Sequence, residues 1–262
     1  MTRDFKNKVR EQFGRAADGY IRDKGFSKGD DLEAMVRLLK PSPDDNMLDV
    51  ACGGGHTALR FSPLVRSVVA SDLTMVMLKK AQEFISEEGG VDNVTFREAD
   101  AEDLPFPAGA FTLLTCRIAP HHFPDVPRAL SEFHRVLRRG GRMAIVDTVL
   151  PDEPEIADFY QTVEKMRDPT HIRAYTVSEW EQMVQEAGFI LHETAIYPKT
   201  HDFPTWAKRS GLKRSGVSEL NKFFVEAPEI VQEYFQIETF AGEVESYTDR
   251  KILIYASRPS KK

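Results

Sequence analysis

The sequence has no apolar run near the ~20 residues that a membrane span requires, and its 262 residues include only two cysteines, Cys52 and Cys116. Both lie in short apolar stretches, the expectation for reduced thiols in a cytoplasmic protein. Excess positive charge is missing as well. The formal net charge of -6 argues against a nucleic-acid partner, because such binders carry a basic face. The opening residues, "MTRDFKNKVREQF", alternate charges with single aromatics and lack the apolar core of a secretory signal. There is no internal repeat or low-complexity linker, and no His/Cys cluster has zinc-ligand spacing. With 41% hydrophobic and 29% charged residues, the expectation is a single globular domain with no metal.

Two signals alternate from residue 44 onward. Apolar runs ("NMLDVAC", "SVVASD", "VTFREAD", "FTLLTCR", "RMAIVDTV") read as strands. Between them, Met77, Leu78, Ala81, Phe84 and Ile85 keep helical spacing, as do Leu130, Phe133, Val136 and Leu137. This alternation predicts an α/β fold with a mostly parallel sheet covered on both faces. A helix capped by Ser178, a strand "FILHETAIY" and a last strand "RKILIYASR" follow. The layout is a helical region over 1–40, a core over 44–150 and a helical insertion over 199–240. Lys199, Lys208, Arg209, Lys213, Arg214 and Lys222 cluster at that insertion. They read either as a solvated helical face or as attraction for an acidic substrate.

"LDVACGGGHT" (48–57) runs from a strand straight into three glycines. Gly53, Gly55 and Ala58 fit the dinucleotide pattern G-x-G-x-x-[GA], and Asp72 follows Gly55 by 17 residues. An NAD-dependent oxidoreductase is therefore one reading. The acids favour another. Asp49 lies inside the first strand, Asp72 closes the second and Asp100 closes the third, so a doubly wound sheet gathers all three at one crevice. Such a rim repels a pyrophosphate. It suits a cation that also offers ribose hydroxyls and an adenine amine, and S-adenosylmethionine has those groups.

"MLDVACGGGHTA", "VVASDLTMVML", "VTFREADAEDLPFPAGAFTLLTCRIAPHHF" and "EFHRVLRRGGRMAIVD" resemble the successive motifs of class I methyltransferases. The likeness is to the type-11 group, which includes ubiquinone/menaquinone-biosynthesis C-methyltransferases. It implies a Rossmann-like, doubly wound, seven-stranded sheet with an antiparallel C-terminal strand, and transfer of a methyl group to a small-molecule acceptor, aromatic or quinone-like. Carried over by position, Asp49 braces the loop beside the methionine ammonium, and Ala51, Gly53 and Gly55 let the backbone approach the cofactor. Asp72 takes both ribose hydroxyls and Leu73 packs on the adenine. Asp100 takes the adenine amine beside Ala101, and Arg117 contributes backbone contacts near the methionine end.

Methyl transfer is a displacement that needs alignment first, and a base only for a protonated acceptor. "RIAPHHF" places His121 and His122 just past the fourth strand, where they could act as base, position substrate or hold structure. The stretch "EKMRDPTHIRAYTVSEW" also resembles the family, and its loop of Asp168, Pro169, His171, Arg173 and Tyr175 reads either as the lining of a substrate pocket, with Arg173 and Tyr175, or as a hydrogen-bonded connector. By the same likeness, Phe13 and Tyr20 in the N-terminal region would cover the site.

Overall fold

Consecutive residues on each central strand serve opposite layers of the molecule. Met47, Leu113, Ala144 and Leu253 pack into one apolar cluster, while their neighbours Leu48, Leu114, Ile145 and Ile254 pack into another. Side chains alternate across a strand, so a sheet buried on both faces needs unbroken apolar runs. The computed structural model describes the backbone of residues 2–22 and 29–260, and the side chains of 4–14 and 29–260.

In chain order the elements are α1 (Thr2–Arg22), α2 (Asp30–Leu39), β1 (Asn46–Val50), α3 (His56–Phe61), β2 (Ser67–Asp72), α4 (Met75–Glu88), β3 (Val94–Glu98) and β4 (Phe111–Arg117). Then come α5 (Val126–Val136), β5 (Leu137–Leu150), α6 (Pro154–Arg167), β6 (Tyr175–Thr176), α7 (Val177–Glu186) and β7 (Ile190–Asp202). The chain closes with α8 (Phe203–Arg209), α9 (Arg214–Val225), α10 (Glu229–Phe235), β8 (Glu238–Phe240) and β9 (Glu243–Ser257). The long strands are ordered β3-β2-β1-β4-β5-β9-β7. All are parallel except β9, which is antiparallel to both β5 and β7. This is the expected doubly wound sheet with an antiparallel C-terminal strand. Helices α5 and α7 cover one face, and α2 and α3 cover the other.

Three local expectations shift. Helix α7 is capped by Thr176, whose hydroxyl accepts the Glu179 N–H while the Glu179 carboxylate accepts the Thr176 N–H. That reciprocal capping box starts the helix ahead of Ser178. Strand β7 runs on through Asp202 and β9 starts at Glu243, so the inserted helices occupy 203–235 rather than 199–240. Both extensions are rich in polar residues, which hides them from an apolar-run reading. They are held as strand by pairs such as Lys199 with Asp249 and His201 with Tyr247. Helices α6, α8, α9 and α10 share a third apolar cluster around Trp206, Phe224, Phe235 and Tyr247.

Candidate functional site

One cavity opens at the carboxyl ends of the parallel strands, and the strand order decides what lines each part of it. On the β1–β3 side stand the glycine loop, Asp72, Leu73, Asp100, Ala101 and Glu102. His121 and His122, just past β4, occupy the middle. Thr148 of β5, Lys251 and Asp249 of β9, and Lys199 and His201 of β7 form the far wall with α6 and α8.

The loop after β1 places Ala51, Gly53 and Gly55 at φ 53°, 52° and 84°. This left-handed region is natural for glycine, but for Ala51 it carries a strain on the order of 1–2 kcal/mol. Ala51 and Gly53 line the cavity. Gly55 does not; a Cβ there would lie 3.0 Å from Ile85 Cδ1 and 3.1 Å from Ala81 Cβ. The backbone there packs closely on α4. Beneath the loop, Asp49 is 1% exposed, and its Oδ1 accepts the Thr115 hydroxyl at 2.7 Å. The Ala58 N–H lies near the carboxylate, and Oδ2 is buried with no hydrogen bond. Burial pushes the Asp49 carboxyl up to about 7, against the pull of Thr115.

Asp72 ties the turn together. Its Oδ1 accepts the Thr74 N–H at 2.9 Å and hydroxyl at 2.6 Å, and its Oδ2 accepts the Gly53 N–H at 3.1 Å. One acceptor position remains on Oδ2. Burial again raises its pKa despite these bonds. Asp100 and Glu102 both accept Lys6 Nζ of α1 at 2.6 Å. Burial works against the charge on Lys6, but the two carboxylates more than offset it. A cationic adenosyl ligand fits this end: Asp49 has a buried oxygen without a hydrogen bond, Asp72 keeps an acceptor position, and the acids favour positive charge.

Arg117, at the end of β4, forms a two-pronged buried pair with Asp31 of α2, Nε to Oδ2 at 2.5 Å and Nη2 to Oδ1 at 3.1 Å. Burial alone would raise the Asp31 pKa; the guanidinium holds it low. The next residue, Ile118, takes φ 55° and donates its N–H to Val146 O at 2.7 Å. That turn swings His121 over Asp147, the residue after Val146. Asp147 Oδ2 accepts the His121 backbone N–H at 2.8 Å, and Oδ1 lies 2.6 Å from His121 Nδ1. A carboxylate only accepts, so Nδ1 carries the hydrogen and Nε2 keeps its lone pair in the neutral ring. His121 Nε2 has no hydrogen-bond partner among the described residues. His122 donates from Nδ1 to Thr170 O at 2.9 Å, and burial with His121 beside it lowers its pKa to about 4.

Of the loop after α6, it is His171 that reaches the cavity. Arg173 and Tyr175 do not line it. Arg173 pairs with Glu179, which is anchored in the capping box of α7, and lies 4.8 Å over the Tyr175 ring, while Tyr175 packs edge-on against Trp180. Phe13 of α1 does line the cavity and meets the His122 ring edge-on at 5.0 Å. The side chain of Tyr20 lies outside the described residues. The basic cluster splits: Lys199 and Arg209 line the cavity, while Lys208, Lys213, Arg214 and Lys222 are exposed.

Sequence reading missed Asp147, Glu164, Arg167, His201, Asp249 and Lys251. Asp147 had a signal, because it interrupts an apolar strand just as Asp49 does. Asp249 and Lys251 also had one: they stand two apart in β9 and so share a face. Glu164 accepts Tyr160 Oη at 3.0 Å and Arg167 Nη2 at 2.6 Å. Burial opposes its charge, yet Arg167 holds its pKa far below the ordinary range. Lys251 donates to Asp249 at 2.7 Å and to Thr148 Oγ1 at 2.6 Å.

Residues 48–145 match the model of a methyltransferase domain. The uncharacterized methyltransferase YcgJ of Bacillus subtilis (strain 168) is 37% identical over 199 residues, 76% of this chain and 78% of that one. A ubiquinone/menaquinone biosynthesis C-methyltransferase, UbiE of Agrobacterium fabrum, is 29% identical over 187 residues, 70% of each chain. A solved structure from Bacillus halodurans C-125 superposes with a TM-score of 0.84 at 39% identity, over 88% of this chain and 100% of that one. Nothing in these likenesses supports the dinucleotide reading of Gly53, Gly55 and Ala58. The chain belongs to the methyltransferase-domain family, and it is an S-adenosylmethionine-dependent methyltransferase of the Rossmann-like class.

Proposed function

We propose that this enzyme methylates a small-molecule acceptor held between His121 and the β7/β9 wall, with His121 as general base. The observation that carries this reading is the Asp147–His121 pair, whose Nε2 stays without a partner in a cavity continuous with the glycine loop. Bound S-adenosylmethionine supplies the electrophilic methyl group on its sulfonium. The residues of the chain do the rest. The loop from Ala51 to Gly53 lies along the cofactor, Asp72 takes a ribose hydroxyl through its remaining Oδ2 position, and Asp100 takes the adenine amine beside Leu73 and Ala101. Asp49 steadies the loop near the methionine ammonium, and Arg117 fixes the strand end that precedes His121.

His121 takes the acceptor's proton at Nε2, and the Asp147 carboxylate stabilises the imidazolium that results. His122 hydrogen-bonds the Thr170 carbonyl rather than a carboxylate, and burial with His121 beside it outweighs Asp168 and keeps it neutral, so it serves to position the acceptor. Helix α1 acts as a cover, pinned by Lys6 and closed over His122 by Phe13. Likeness to UbiE enzymes supports an aromatic or quinone-like acceptor, and the reading takes the chain as a single domain that works in the cytoplasm without nucleic acid. No described helix is long and apolar enough to cross a membrane.

Calorimetric titration of the full chain with S-adenosylhomocysteine tests the cofactor site, and a folded sample that binds none would sink the reading. Transfer of labelled methyl from S-adenosylmethionine to phenolic acceptors, in wild type and in His121→Ala, tests the base.

A further inference from the structure

His121 and His122 stand side by side in the turn Pro120–His122 just past β4, with ring centroids 4.2 Å apart and planes tilted by 49°. Each ring is held from behind through Nδ1. Behind His121 is the Asp147 carboxylate at 2.6 Å, and behind His122 is the Thr170 carbonyl at 2.9 Å. The Thr170 hydroxyl, 3.3 Å from the same His122 nitrogen, gives its own hydrogen to Asp168 Oδ1. None of these oxygens has a hydrogen to offer, so both Nδ1 atoms donate and each neutral ring keeps its lone pair on Nε2.

Both rings line the cavity, and neither Nε2 has a hydrogen-bond partner among the described residues. Both Nε2 atoms are open to the cavity, unlike Nδ1 of the third imidazole, His171, which is sealed in. His171 lies 5.5 Å from His121, centroid to centroid, and gives its Nε2 hydrogen to Gln161 Oε1 at 2.9 Å. Gln161 is itself oriented by Ala174, whose carbonyl takes the amide Nε2–H at 2.8 Å and whose N–H meets Oε1 at 3.2 Å. The cavity therefore meets two bare imidazole lone pairs side by side, and the third is out of reach. Burial with His121 alongside keeps His122 neutral, its pKa lowered to about 4 against the pull of Asp168.

A methyl acceptor with a single donor fills one lone pair and leaves the other facing it, stripped of water, which sacrifices a hydrogen bond. An ether, halide or carbonyl in that place brings a further lone pair against the nitrogen. Two donors on neighbouring atoms satisfy both nitrogens, and they also stop the ring from turning about one contact.

We propose that the methyl acceptor carries two hydrogen-bond donors on neighbouring atoms, as an ortho-dihydroxy or ortho-amino-hydroxy aromatic ring does, and that His122 Nε2 holds the second while His121 Nε2 holds the first. His122 is thereby the residue that selects the donor pair. The proposal rests on the reading of His121 as the base that meets the acceptor, and deepens it by naming the acceptor's class.

Catechol, 2-aminophenol, phenol and 2-fluorophenol share a ring of similar size, and only the first two carry the second donor. Each is titrated calorimetrically into the full chain, with and without S-adenosylhomocysteine. At least one two-donor probe should bind about tenfold or more tightly than 2-fluorophenol. If catechol leads, the second donor is a hydroxyl; if 2-aminophenol leads, it is an amine. In wild type with 15N-labelled histidine, the leading probe should shift the Nε2 resonances of both His121 and His122, and 2-fluorophenol should shift only one of them. His122→Phe should bring the two-donor probe down to the affinity of 2-fluorophenol and leave S-adenosylhomocysteine binding unchanged. Equal binding of 2-fluorophenol, a His122 Nε2 resonance that no probe moves, a preference that survives in His122→Phe, or no binding of any probe overturns the proposal. None of these measurements needs turnover. Failure of His121 as base shows separately, as undiminished methyl transfer in His121→Ala, and failure of the cofactor assignment shows as absent S-adenosylhomocysteine binding.

Discussion

Asp147 holds His121 twice, through the backbone N–H at 2.8 Å and through Nδ1 at 2.6 Å. The two bonds fix where the residue sits and which ring nitrogen keeps its lone pair. Asp147→Asn preserves an acceptor for one bond and removes the charge behind the ring. Methyl-transfer kcat should fall on the order of 10²-fold, the scale of a general base. KM for S-adenosylmethionine should stay within a factor of two or so. A kcat like that of wild type would remove His121 from proton transfer.

Asp72 ties the glycine loop to the turn after β2, so its removal acts on the loop as well as on the proposed ribose contact. Asp72→Ala deletes the acceptor of the Gly53 and Thr74 N–H groups along with the proposed ribose partner. S-adenosylhomocysteine affinity should drop by at least about 2 kcal/mol, as bonds to a charged group are lost. Calorimetry reads this directly. An affinity equal to wild type would mean that the ribose is held elsewhere.

Asp49 makes stability depend on pH. Its folded-state pKa of about 7, set chiefly by burial, lies above the value for an unfolded chain, so the folded state holds the proton more tightly. The stability from that proton is complete below about pH 4 and is lost as pH rises through 7. Relative to wild type, Asp49→Asn should gain stability between pH 5 and pH 8, by up to ~4 kcal/mol. Urea unfolding across that range measures it; a difference that stays flat with pH would contradict the assignment. A cation arriving beside Asp49 drives the proton off, so binding near pH 7 should release protons, seen as a dependence of the calorimetric heat on the buffer.

Gly55 tests the packing role that the structure gives it. At its φ of 84° a side chain is strained, and a methyl group 3.0 Å from Ile85 Cδ1 would force that side chain to give way. Gly55→Ala should cost roughly 1–3 kcal/mol, which lowers Tm by several degrees for a chain of this size. Cofactor affinity in the variant that remains folded should change little. A large loss of affinity with an unchanged Tm would return Gly55 to the ligand.

Much of this molecule is written locally. The strands "SVVASD" and "FTLLTCR" coincide with β2 and β4 residue for residue, because a sheet buried on both faces needs unbroken apolar runs. The glycine turn and its acids were legible for a related reason. A carboxylate inside an apolar strand and glycines at a forced turn are costs that a sequence displays openly.

The far end of the cavity was not legible, because its parts come from β4, β5, α6, β7, α8 and β9, and their side chains are polar in strands that look like loops. No local pattern says that Asp147 lies under His121, or that Lys199 and Arg209 face inward while Lys208 and Lys213 face water. The sequence by itself determined the sheet, the turn and the acids of the rim, since each depends on residues close together in the chain. Only the tertiary structure decided which histidine has a carboxylate behind it and which charges share a wall. Those relationships are set by strand order and register, which join residues as far apart as Lys6 and Glu102 or Lys199 and Lys251.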